Sequence, residues 1–150
     1  MNEFHMAESN YTIGQVAMMS GLTDRTLRNY ISLGFLEGEK IDGQWRFSPE
    51  QLEAFFKHPS VRPSVLAKKN ATIYDFLAEE KRENEEICLV LDVPKGRKIN
   101  AMTFFCREIS NSDFENIHFS YDGVGNVGRV ILRGKMEDVL RLVNAYRESV

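Results

Sequence analysis

No apolar run in this chain approaches the roughly 18 residues that a membrane-spanning helix needs. The opening stretch, MNEFHMAESN, is polar and acidic and lacks the basic and apolar regions of a secretory signal. Both absences predict a cytoplasmic protein with no membrane partner. Cysteine is scarce as well. Cys88 and Cys106 are the only two, each inside an apolar run, where a reduced buried thiol is expected rather than a disulfide or a metal ligand. His5, His58 and His118 show no ligand-like spacing to one another or to a cysteine, so neither zinc nor haem finds support. No GxSxG elbow and no diagnostic pair of carboxylates is present, and the expectation is a protein without catalysis and without a cofactor. An excess of positive charge is missing too: the net charge of -3 does not advertise a nucleic-acid partner.

What remains is an ordinary globular composition, 43% hydrophobic and 27% charged, in a length that suits one domain or two small ones. Thr12 and Gln15 form a capping-box pair ahead of Val16, Ala17 and Met19, which predicts a first helix ending near Ser20 and Gly21. Thr23 caps a second helix. On its wheel Leu27 and Ile31 fall together with Tyr30 beside them, while Arg25 and Asn29 lie opposite and Thr26, Arg28 and Ser32 take the edges. Gly34 is placed to close this helix in the left-handed conformation, returning Phe35 and Leu36 to the core. Asp42-Gly43 is a hairpin signal between two short runs, and Ser48, Pro49 and Gln51 open a third helix whose Leu52, Phe55 and Phe56 rejoin the core. Helix, turn, helix, ribbon, helix is the order of a winged helix-turn-helix.

From residue 59 to 86 the chain is mixed. Pro59 and Pro63 interrupt it, one or two amphipathic helices follow, and the polar run AEEKRENEE reads as a boundary. Beyond it, ICLVLDVP reads as a continuous apolar strand and INAMTFFCREIS as a helix with Met102, Phe105, Cys106 and Ile109 on one face. IHFSY alternates as a half-buried strand, RVILR is a third strand, and MEDVLRLVNAY is a helix with Met136, Val139, Leu140 and Val143 on one side. The expected fold class is α+β: a winged helix-turn-helix at 11–58, a helical connector and polar linker at 59–86, and a βαββα sandwich at 87–150 for dimerisation or sensing.

GVGNVG, residues 123 to 128, satisfies G-x-G-x-x-G letter for letter. A dinucleotide cradle needs those glycines between a strand and a helix, so that the pyrophosphate meets free helix amides. Here RVILR, a strand, follows, and a hairpin loop is expected instead. The stronger signal is the second helix. Taken alone its polar face is a solvated face, yet a preceding short helix, a tight turn and a following ribbon together present such a helix to a major groove. Arg25, Arg28 and Asn29 are side chains that pair bidentately with guanine or adenine or grip phosphate. With Trp45 and Phe47 inward, Gln44 and Arg46 point outward, Arg46 toward a phosphate, with Lys40 on the other strand. Residues 11–58 hold five basic side chains against six acidic ones, so any positive patch must come from placement; Arg62, Lys68 and Lys69 add basic charge just beyond.

YTIGQVAMMSGLTDRTLRNYISLGFL resembles the opening of the MerR family's DNA-binding domain, with its Thr-Ile-Gly start, Thr-Leu-Arg helix and Gly-Phe-Leu stop. The ribbon DGQWRFSPEQLEAFF is nearer to the excisionase-like branch of that superfamily. The resemblance implies a transcriptional regulator that binds double-stranded DNA, with Arg25, Arg28 and Asn29 at the groove and Arg46 as the wing's phosphate contact; Thr26, Lys40 and Gln44 complete the candidate DNA-binding set. A homodimer is the expected assembly, since a short winged module buries only about 600 to 1,000 Å² on DNA and gains from a tethered second copy. Two rivals are an excisionase-like architectural protein that bends DNA and a ligand- or protein-binding module using the helix-turn-helix as scaffold. Neither the effector nor the operator is written in the sequence.

Overall fold

The computed structural model describes residues 10–150 apart from 112, 113 and 115; His5 and the rest of the acidic opening stretch lie outside the described residues. The chain forms two compact units, the first ending at Lys68 and the second beginning at Lys69. The division falls inside the segment 59–86, within a helix rather than in the polar run after it.

In the first unit, α1 (Ile13–Ser20) and α2 (Asp24–Leu33) are fixed by local capping. The Gln15 amide donates to Thr12 Oγ1 at 3.1 Å and the Thr12 amide to Gln15 Oε1 at 2.9 Å, so two otherwise orphaned helix donors are satisfied reciprocally. Gly21 ends α1 at φ 79°, and Gly34 ends α2 at φ 82°, sending the amides of Phe35 and Leu36 back to the Tyr30 carbonyl at 2.9 and 3.3 Å. The wing pairs β1 (Glu39–Ile41) with β2 (Gln44–Arg46) through Asp42 and Gly43, both at positive φ, as a two-residue hairpin turn requires. Phe47 then exchanges both main-chain hydrogen bonds with Tyr11, at 2.8 and 2.9 Å. α3 (Pro49–Lys57) opens with the Ser48–Gln51 capping box and proline in its first turn. Val16, Met19, Leu27, Leu36, Phe47, Leu52, Phe55 and Phe56 are buried together as the core of this unit. α4 (Arg62–Ala78) is one continuous helix; Pro63 sits in its first turn, where no amide partner is needed.

The second unit runs β3 (Glu86–Pro94), a single 3-10 turn, α5 (Lys98–Ser110), β4 (His118–Val124), β5 (Val127–Lys135) and α6 (Met136–Ser149). The fold is thus α+β, with βαββα order in its C-terminal part. The sheet is antiparallel in the order β3-β5-β4, so β5 is central. One face of it carries Val130, Leu132, Phe119 and Tyr121, buried with Met102 and Phe105 of α5 and Val139 and Leu142 of α6. GVGNVG is strand, turn and strand: Gly123 and Val124 end β4, Gly125 turns at φ 57°, and Val127 and Gly128 begin β5. The glycines join two strands in sequence and no helix follows them directly, although Gly128 packs against Lys98 at the start of α5, where a β-carbon would stand 2.6 Å from Lys98 Cβ.

Three expectations change. The buried stripe of α6 is Val139, Leu142 and Tyr146, and Leu140 is 45% exposed. Tyr146 sets that rotation by packing its ring 5.5 Å from Phe104 and 5.0 Å from Phe105. β4 is buried on both faces rather than one, since Ser120 and Asp122 are as enclosed as Phe119 and Tyr121; their polar side chains hide this burial from a hydrophobicity pattern. β3, expected as a continuous apolar strand, is an edge of the sheet with Val90 49% exposed. Cys106 is buried and its thiol is pushed up to about 12 by desolvation, while half-buried Cys88 is raised for the same reason.

The glycines of the first unit give a ranked test. A β-carbon on Gly34 meets no neighbour but would hold alanine at positive φ, costing about 1 to 2 kcal/mol. On Gly38 it would stand 2.6 Å from the buried Phe47 ring and 2.8 Å from the Arg46 carbonyl oxygen. Gly38→Ala should therefore fall at or above the upper end of the roughly 1 to 3 kcal/mol typical of overpacking and shift the Trp45 emission spectrum, which Gly34→Ala should leave alone. Urea denaturation of both variants checks the order; equal destabilisation with unchanged spectra would refute it.

Candidate nucleic-acid interface

The helix-turn-helix and its wing bring four of the seven expected site residues to one place. Arg28 of α2, Lys40 of β1, and Gln44 and Arg46 of β2 line a cleft of about 240 Å³ together with Thr12, Ile13, Gly43 and Trp45. Thr12 and Ile13 are the start of α1, where helix amides carry partial positive charge. Three cations and a helix N-terminus thus face one opening in a unit whose side chains are on balance acidic. Placement supplies what composition does not.

Each group has a local restraint. Arg28 Nε donates to Asp24 Oδ2 at 2.8 Å, one turn back on α2, with both side chains 56% exposed. Such an exposed pair contributes about 0 to 1 kcal/mol, little enough for a phosphate or a base edge to displace. Arg46 Nη1 donates to Gln44 Oε1 at 3.4 Å and to the Trp45 carbonyl at 3.2 Å, so the two outward residues of β2 steady one another. Lys40, the cross-strand partner of Trp45, holds its ammonium 5.3 Å from the indole centroid.

The other three expected residues stay on α2 itself. Arg25 and Asn29 are exposed, on the side of the helix away from buried Leu27. Thr26 is half-buried, and its hydroxyl accepts from Thr23 Oγ1 at 3.0 Å, so it belongs to the helix cap before it belongs to any groove contact. Trp45 is the residue that sequence reasoning misses. Alternation along the strand places it inward with Phe47; the ring does stack on Phe47, at 6.3 Å and 17°, but remains half exposed and forms a wall of the cleft. Its register opposite Lys40 is the signal that marks it. Of the further basic residues expected to reach phosphate, Lys68 is exposed, whereas Lys69 is only 4% exposed and Arg62 is half-buried, donating to the Phe56 carbonyl at 3.3 Å. Burial removes Lys69 from the candidate surface.

Residues 12–47 match the model of the MerR family regulatory protein. This segment is similar to the helix-turn-helix of MerR regulators. The match begins at the Thr12 cap and ends at Phe47, so it takes in α1, α2 and the whole wing that forms the cleft. A MerR-type domain of this kind points to a DNA-binding regulator. The chain has no match among curated proteins or solved structures. No helix among the described residues is long and apolar enough to cross a membrane, and no group of three or more His, Cys, Asp or Glu among them is placed to hold a metal.

The MerR-type cleft can be tested from two sides. Trp45 is the only tryptophan of the chain, so titration with duplex DNA should change its emission, and raising the salt should reverse the change. Arg46→Ala should weaken specific and nonspecific duplexes alike and reduce the slope of log affinity against log salt by about 0.9. Weakening confined to one sequence would contradict the phosphate role.

Proposed function

We propose that the protein is a cytoplasmic, sequence-specific transcriptional regulator of MerR-like type that works as a homodimer and performs no catalysis. The observation that carries this reading is the cleft between α2 and the wing, where Arg28, Lys40, Gln44 and Arg46 converge beside the exposed Arg25 and Asn29. α2 enters the major groove and reads base edges through Arg25, Arg28 and Asn29, while the wing grips flanking phosphates through Arg46 and Lys40. Arg28 exchanges Asp24 for its DNA contact.

A dimer gives the reader two half-sites and the affinity that one small module lacks. β3 supports this assembly: among the described residues it pairs only with β5, and its outer edge carries no lysine or internal proline to discourage pairing with a second strand.

Binding sites recovered by selection from random duplexes provide the test. Alanine at Arg25, Arg28 and Asn29 should cost about 1 to 3 kcal/mol for each bidentate base pairing abolished and relax preference at the matching base pairs. Unchanged affinity and preference would remove α2 from the groove. For the assembly, light scattering at micromolar concentration should give twice the chain mass, and Val90→Lys, a charge in the middle of the β3 edge, should give a monomer. A monomeric parent protein would leave sensing as the role of the second unit.

A further inference from the structure

A recess of the second unit lies where the last turns of α4 meet the Glu86 end of β3 and the Lys135 end of β5. Its volume is about 460 Å³, within the range of small-molecule sites, and it is lined by Thr72, Asp75, Glu86, Asn116, His118, Arg133, Gly134 and Lys135. Most of the charge here is already matched. Arg133 donates to Glu79 Oε2 at 2.6 Å and lies 5.5 Å from the Phe76 ring. Arg82 donates to Glu86 Oε1 at 3.0 Å and to the Phe76 carbonyl, and Nε2 of His118 lies 3.3 Å from the Thr72 hydroxyl. Burial first, then the positive charges of Lys69 and Arg133, lower the His118 pKa and favour a neutral ring.

Two charges are left over. Asp75 on α4 and Lys135 at the end of β5 line the same recess, and neither makes an ion pair or side-chain hydrogen bond among the described residues. A surface carboxylate and ammonium that merely face water need no shared cavity. Here they stand on its wall, with the Asn116 amide and the neutral His118 ring between elements to donate and accept. An anion alone would be attracted by Lys135 but repelled by Asp75, and a cation alone the reverse. The ligand that meets both is one that carries both charges.

We propose that this recess binds a small zwitterion of the α-amino acid class, its ammonium against Asp75 and its carboxylate against Lys135, with the Arg133 guanidinium behind the carboxylate. Gly134 keeps the floor open, since a β-carbon there would stand 3.0 Å from the Asn116 carbonyl oxygen.

The test uses the full chain and no DNA, so its outcome is independent of the DNA-binding reading. Calorimetry with the common α-amino acids at millimolar concentration should show saturable binding of at least one, while acetate, methylamine and inorganic phosphate give none. Asp75→Asn and Lys135→Gln, both on side chains without a protein partner, should keep the parental circular dichroism and melting temperature and each weaken that binding roughly tenfold or more, the equivalent of about 1.4 kcal/mol. No saturable heat with any amino acid overturns the proposal. Binding that survives both substitutions places the ligand elsewhere and overturns it too. Binding of acetate or phosphate that depends on Lys135 but not on Asp75 would identify an anion site instead.

Discussion

The ring of Phe47 determines where the wing stands, and with it the shape of the cleft. It is fully buried, its main chain is paired with Tyr11, Gly38 passes so close that a methyl group would not fit, and Trp45 stacks on its outer side. A two-stranded ribbon of three residues per strand has too few hydrogen bonds to hold itself upright. Anchored at Phe47, it becomes a rigid arm that keeps Arg46 and Lys40 at a set distance from Arg28. The core and the candidate interface are therefore two sides of one residue's packing: the same ring that completes the apolar cluster with Leu27 and Phe55 supports the indole that walls the cleft.

Electrostatics works at shorter range than net charge suggests. The chain is acidic as a whole, yet the charged groups that line the cleft are basic, and Asp24 is bound to one of them. With a Debye length of about 8 Å at physiological salt, charges beyond the cleft's immediate surroundings are largely screened from a ligand seated in it.

The first unit is legible because its instructions are local. Thr12 with Gln15, Ser48 with Gln51, Asp42 with Gly43 and the glycines at 21 and 34 each specify a backbone event within a few residues of themselves. The convergence of Arg28, Lys40, Gln44 and Arg46 follows from that order of elements. What stays hidden depends on distant partners. Lys69 looks like surface charge and is buried; Leu140 fits the helical stripe and is displaced from it by Tyr146 packing on α5; Ser120 falls on the polar side of an alternating strand and is enclosed. Nothing in a strand's own letters tells that β5, the last in sequence, lies in the middle of the sheet. Asp75 and Lys135, 60 positions apart, share a recess only because that sheet order and the end of α4 bring them together.

Cys106 carries a consequence of a different kind. Its thiol sits among Phe105 and its neighbours on α5, protonated up to about 12 and shut away from solvent. Thiolate chemistry requires both deprotonation and access, so an alkylating or oxidising reagent reaches this sulfur only when the packing around α5 opens. Cys88, half-buried on the β3 edge, is more open to solvent. The two thiols therefore form a natural pair of clocks: one keeps the time of the folded surface, and the other advances only with each excursion in which the helices lift from the sheet.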